Sequence, residues 1–156
     1  MVKVRPILLL ASSLVVSACS TPRFLIEAEN ARTNTHIALA FEETVFNKHR
    51  VSEGFSRYVA SEYREHDPTL PDGADAAARA LAHEFETRFA SSHLVVTRTV
   101  AQGDLVSVQA LWDTEPGQSR GVARVDLFRL VNSRIVEHWV VQQPLTEANP
   151  QARESS

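Results

Sequence analysis

Residues 121–142 read GVARVDLFRLV, then NS, then RIVEHWVVQ, and this stretch decides the fold. Over Gly121–Val131 the side chains alternate at the period of a β-strand. Val122, Arg124, Asp126, Phe128 and Leu130 share one face, and Val125, Leu127 and Arg129 the other. Asn132 and Ser133 form a two-residue turn, and Arg134–Gln142 returns as the next strand. On that strand Val136, His138 and Val140 share a face, with Glu137, Trp139 and Val141 opposite.

Working outward, His93–Ala101 is rich in Val and Thr, Gln102-Gly103-Asp104 turns the chain, and Leu105–Trp112 is another strand. Glu115–Ser119, with Pro116 and Gly117, is a looser connection. Four consecutive strands with short links predict an antiparallel meander. Three helical patterns come first. Ile37, Ala40, Phe41, Thr44 and Val45 mark one apolar stripe. Val51, Phe55, Tyr58, Val59 and Tyr63 mark a second, and Ala78, Leu81, Ala82, Phe85 and Phe89 a third. Pro68, Pro71, Asp72 and Gly73 break the chain before the third helix, which Asp72 or Asp75 is placed to cap. The expected class is α+β, with three helices packed on a curved four-stranded antiparallel sheet. Such a cone leaves a hollow suited to a small molecule.

The chain has 156 residues, room for one ordinary domain. Its 44% hydrophobic and 22% charged residues exclude a disordered or fibrous protein. A net charge of −3 without a basic block argues against nucleic acid as a partner. A single cysteine excludes an internal disulfide framework. That cysteine ends a tripartite start: Lys3 and Arg5, the apolar run Ile7–Val16, then Ser17 and Ala18. This is the pattern of a secretory signal, and the run is shorter than the ~20 residues a spanning helix needs. Val16-Ser17-Ala18-Cys19 resembles the lipobox of bacterial lipoproteins. The resemblance implies cleavage before Cys19 and lipid on that residue. With Ser20 rather than Asp next, it implies a place on the outer membrane facing the periplasm. Removing residues 1–18 takes away two bases and no acid, deepening the net charge to −5. The chain then divides into a signal segment 1–18, a lipidated tether 19–33, a domain 34–143 and a flexible tail 144–156.

Within the domain, Asp126 stands out because it shares a face with Val122, Phe128 and Leu130. A buried carboxylate is costly unless it is paired or its pKa rises. Two readings stay open: a general acid/base, or a structural pair with Arg124 or an arginine on another strand. His138, one strand over, could face the same hollow and move a proton near neutral pH. Trp139 either walls that hollow or fills the core. His66, where the second helix is expected to end, fits a dipole partner. His36, His49, His83 and His93 have no evident partners. His83-Glu84-Phe85-Glu86 lacks the second histidine of a zinc-protease helix, so no metal site is indicated.

Four segments carry a family resemblance. They are Tyr63–Pro68 with Asp72 and Gly73, then Ala101–Val106, then Val125–Arg129, and finally Ile135–Trp139. Together they resemble the SnoaL-like polyketide cyclase family of the nuclear-transport-factor-2-like superfamily. The resemblance implies a conical fold with a pocket and, in some members, aldol ring closure without cofactor or metal. It also implies Asp126 as acid/base, with His138 and His66 as polarising or orienting groups. Tyr63, Gln109, Phe128, Val140 and Trp139 would line the pocket. Relatives often carry an Asp where Val140 stands and a His where Gln109 stands. The first reading is a cofactor-free enzyme acting on a small enolisable carbonyl compound, motivated by Asp126 and His138 in one hydrophobic pocket. The alternative, which those two departures favour, is a non-catalytic ligand-binding domain. A third reading is a homodimer formed through the sheet, using Val125, Leu127, Trp139 and Val141.

Overall fold

The computed structural model describes residues 23–116 and 121–145. The signal segment, Cys19 and the tail beyond Leu145 lie outside the described residues. Helix α1 covers Arg23–Glu42 and passes directly into a π-helical turn, Glu43–Asn47. Helix α2 (Val51–Tyr58), strand β1 (Val59–Glu65) and helix α3 (Ala74–Thr87) follow. Strands β2 (His93–Gln102), β3 (Leu105–Asp113), β4 (Gly121–Val131) and β5 (Arg134–Leu145) complete the domain.

The α+β class holds, but the sheet has five strands and is mixed. Its order is β1-β5-β4-β3-β2. The expected meander β2 to β5 is antiparallel throughout, and β1 joins β5 in parallel. The second helix therefore ends at Tyr58 rather than continuing through Tyr63. Val59, Tyr63 and Glu65 are buried while Ser61, Glu62 and Arg64 are exposed. The apolar positions of this segment suit either period. The decision comes from β5, whose free edge offers backbone partners to Val59, Arg64 and Glu65.

Helix α1 begins earlier than its apolar stripe requires. Residues 23–33, read as a tether, are helical. Glu and Ala favour helix there, and Arg23 pairs with Glu27 one turn on, at 2.8 Å. Neither expected cap of α3 is used. Gly73, at φ 93°, is the N-cap residue, with no side-chain cap bond. Asp72 instead accepts the Glu65 backbone N–H at 2.9 Å, fastening the loop to β1.

All three helices pack on one face of the sheet. Phe41, Phe55 and Phe128 meet edge to face, as do Phe46, Phe85 and Trp112. Gly54 lets α2 approach the π-helical turn, since a Cβ there would lie 2.5 Å from Val45 Cγ2. The β4–β5 turn falls on Asn132 and Ser133, both left-handed (φ 49° and 61°), as a two-residue hairpin turn demands. Among the described residues no helix covers the opposite sheet face, and Val100, Val125 and Val141 are exposed on it.

Candidate active site

The pleat of β4 aims Arg124, Asp126 and Phe128 at the helices, and β5 places His138 beside them. His138 stacks on Phe128, with ring centroids 4.9 Å apart. Parallel β1 brings Glu65 into register with His138 from the other side. The imidazole is thus held at both nitrogens, Nε2 at 2.9 Å from Asp126 Oδ1 and Nδ1 at 2.9 Å from Glu65 Oε1. A neutral imidazole has one N–H and could satisfy only one of these carboxylates. Two acceptors therefore call for the imidazolium. Burial opposes that charge, but hydrogen bonds and charge from Asp126 and Glu65 overcome it and lift the His138 pKa to about 9.

Asp126 is fully buried. Arg124 donates Nε to its Oδ2 at 2.8 Å, and a second guanidinium nitrogen donates to Oδ1. Burial alone would raise the Asp126 pKa; the Arg124 charge and the bonds from His138 and Arg124 hold it at about 2. Both alternatives left open for Asp126 thus share one geometry, because the ion pair with Arg124 and the bond to His138 coexist. Arg124 is itself buried, with its guanidinium 4.4 Å above the Phe46 ring. The chain continues through Glu65, which accepts bonds from the Tyr63 hydroxyl and, at 2.9 Å, from the Asp67 backbone N–H. Burial first, then the charge of Glu65, pushes the Tyr63 hydroxyl pKa far up, so Tyr63 acts as a donor.

These groups form the polar wall of a cavity of about 430 Å³. Tyr63, Glu65, Arg124, Asp126 and His138 face it from the sheet side, and Phe41, Phe55, Trp112 and Leu70 supply apolar surface. Among the expected site residues, Asp126, His138, Tyr63, Phe128 and Val140 line this cavity. His66, Trp139 and Gln109 do not. Trp139 and Gln109 have the opposite strand parity, and His66 is one position past Glu65. On the outer face His66 stacks flat on Trp139 at 4.5 Å and sits 3.2 Å from Glu137. Gln109 lies there beside Arg98, so its identity has no bearing on the cavity. Of the two expected departures, Val140 lines the cavity and Gln109 does not.

Sequence reasoning missed Glu65, because the segment holding it was read as helix. It also missed Glu42, which is 1% exposed with no hydrogen-bond partner for either oxygen among the described residues. Burial first, then the charge of Asp126, raises its pKa to about 8 against the opposing charges of Arg124 and His138. This shift favours the protonated, neutral form of Glu42 at neutral pH. The available signal was a carboxylate on the apolar stripe between Ala38 and Val45. Among the described residues no group of three or more His, Cys, Asp or Glu is arranged to hold a metal ion.

A family model described as the SnoaL-like domain matches residues 38–138. No curated protein matches the chain in sequence. Solved structures share its fold. A proposed polyketide cyclase from Acidithiobacillus ferrooxidans is 17% identical with a TM-score of 0.61, covering 80% of this chain and 96% of that one. A proposed ketosteroid isomerase from Kribbella flavida is 16% identical with a TM-score of 0.61, covering 76% and 83%. A proposed SnoaL-like polyketide cyclase from Jannaschia is 21% identical with a TM-score of 0.56, covering 80% and 92%.

Proposed function

Because the chain belongs to the SnoaL-like domain family, we propose that its cavity takes a small hydrophobic molecule bearing a carbonyl group and performs cofactor-free acid–base chemistry beside that carbonyl. The reaction would be of aldol or isomerase type. The observation that carries this reading is the Asp126–His138 hydrogen bond in the wall of a cavity that Phe41, Phe46, Phe55 and Trp112 also line. The contacts that keep Asp126 ionised also make it a weak base. A carbonyl oxygen that draws the His138 Nε2–H toward itself removes one of those contacts. Asp126 then becomes more basic as the enolate oxygen gains a donor. In that step the α C–H bond breaks, the proton passes to Asp126, and the electron pair moves to the oxygen held by His138. Return of the proton to another carbon completes an isomerisation, and attack of the enolate carbon on a second carbonyl completes an aldol closure.

The test needs no known substrate. Cyclic ketones and 1,3-diketones are incubated with the protein in D2O, and α-proton exchange is followed by NMR. Exchange above the buffer rate is expected, falling at least tenfold in His138→Gln. Exchange equal to buffer for compounds shown to bind would overturn the reading. In that event the second reading stands, a non-catalytic binding domain. It is supported by the internal partners already engaging His138 and Asp126, and by Val140 in the cavity.

The proposal takes its location from the lipobox resemblance: a lipid on Cys19 holding residues 34–143 at the outer membrane, facing the periplasm. No helix among the described residues is long and apolar enough to cross a membrane. The same proposal includes a homodimer through the bare sheet face. Val125 and Val141 are cross-strand partners there, 40% and 73% exposed, with Leu127 and Trp139 in the next row. Contiguous apolar surface of this kind marks an interface. Sedimentation is expected to show a dimer, and Val125→Glu with Val141→Glu a folded monomer. A monomeric parent protein would refute this part.

A further inference from the structure

The start of α1 has a property the cavity does not explain. Residues 23–30 are exposed on every side; Ala31 is the first partly covered residue. Asn34 is the first buried one, and it fastens the helix by donating to the Gly103 carbonyl at 3.2 Å. At 1.5 Å per residue, the free part projects about 12 Å from the body of the domain. Its tip carries Phe24, Leu25 and Ile26, which are 66%, 48% and 50% exposed. Three successive helical residues fan out over about 200° of the circumference. A protein partner on one side would leave part of that fan in water, whereas a lipid interface surrounds the tip. Polar residues follow immediately, Glu27, Glu29 and Asn30, so the apolar zone is one turn deep. The charges beside it are balanced, with Arg23 paired to Glu27 and Arg32 to Glu29. Cys19 stands four positions before Arg23, a span of at most about 14 Å of extended chain.

We infer that the first turn of α1, Phe24-Leu25-Ile26, enters the lipid surface, so that the projecting helix holds the domain at a set distance from the membrane. This rests on the lipid-anchor reading for its placement, while the exposed turn is an independent observation. A single-point anchor would leave the domain free to tumble. An inserted helical turn limits its approach and orients the body about 12 Å away.

Phe24→Trp places a fluorescent reporter at the tip, at a position exposed enough to accept it. The full chain is purified from a bacterial envelope, and mass spectrometry reads whether Cys19 is acylated, which tests the anchor by itself. The protein is then placed in phosphatidylethanolamine–phosphatidylglycerol vesicles with and without brominated acyl chains. Emission of the parent protein is subtracted to remove Trp112 and Trp139, leaving that of the introduced indole. A blue-shifted reporter emission that brominated lipid quenches is expected, and with Cys19 acylated it supports both readings. Quenching without acylation supports the inserted turn and refutes the anchor. Vesicle-bound, acylated protein whose reporter emission is unshifted and unquenched refutes the inserted turn and leaves the anchor intact. Protein that is neither acylated nor quenched refutes both.

Discussion

Replacing Asp126 by Ala is expected to destabilise the domain by about 3–5 kcal/mol, the usual cost of removing one partner of a buried ion pair. Arg124 is 4% exposed and its two Asp126 contacts are the hydrogen bonds that fix it within the cavity wall. It cannot shed its proton, so its charge would stay buried without a matched acceptor. His138 would keep Glu65 but lose the acceptor at Nε2. Urea unfolding at pH 7 reads the change, and a loss under 1 kcal/mol would contradict the account. The pH dependence gives an independent check. The Asp126 pKa is lowered from 3.8 to about 2. Its contribution is therefore present above pH 3.8 and lost as pH falls through 2, and the variant should lack that acid-side loss.

Replacing Glu42 by Gln should do the reverse and stabilise the domain, by about 4–5 kcal/mol at pH 8–9. The wild-type Glu42 pKa is raised from 4.5 to about 8. Between these values the folded state binds more protons than the unfolded one, so stability falls as pH rises. Below pH 4.5 both forms carry a neutral side chain of similar shape and should have nearly equal stability. His138, raised from 6.5 to about 9, adds a second loss in the same direction, present below pH 6.5 and gone above 9. The variant keeps the His138 slope, so the decisive window is pH 4.5–6.5, where the wild type should lose stability and Glu42→Gln should not. Parallel unfolding curves across that window would show that Glu42 is ionised in the folded protein.

The two buried acids differ in how far they could be read in advance. Asp126 announced itself by strand parity, since a carboxylate between Val122 and Phe128 must face the same way as they do. His138 did not follow from the same rule. Val131 pairs with Arg134 across the turn, which in unbroken register would set Asp126 opposite Trp139, and the β-bulge between Arg129 and Leu130 turns His138 to the Asp126 face. Glu42 was equally placed on a helical stripe, but Phe41 beside it satisfies that stripe, so local pattern did not force the carboxylate inward. Gln109 and His66 were drawn to the site by resemblance alone, and Trp139 by its place beside His138 on the same strand. Strand parity set Gln109 opposite to Val106, Val108 and Ala110, whereas the β-bulge between Arg129 and Leu130 set Trp139 on the outer face. For His66 strand parity is hidden, because the apolar positions of its segment suit a helix as well as a strand.

The alternation in 121–142 determined the β4–β5 hairpin and its turn, because side-chain direction along a strand is a local consequence of backbone geometry. That Asp126 and His138 share a face was decided by the β-bulge between Arg129 and Leu130, which sets Asp126 opposite Val140 where an unbroken two-residue hairpin would set it opposite Trp139. The apolar stripes likewise determined that helices would cover one side of a sheet. Only the tertiary structure decided that Val59–Glu65 is a strand and that Glu65 closes on His138. That bond joins residues 73 positions apart. The free edge of β5 that recruits β1 exists only once the hairpin has formed. The proton on Glu42 was also settled there, since its pKa depends on burial and on charges carried by β4 and β5 rather than on its neighbours in sequence.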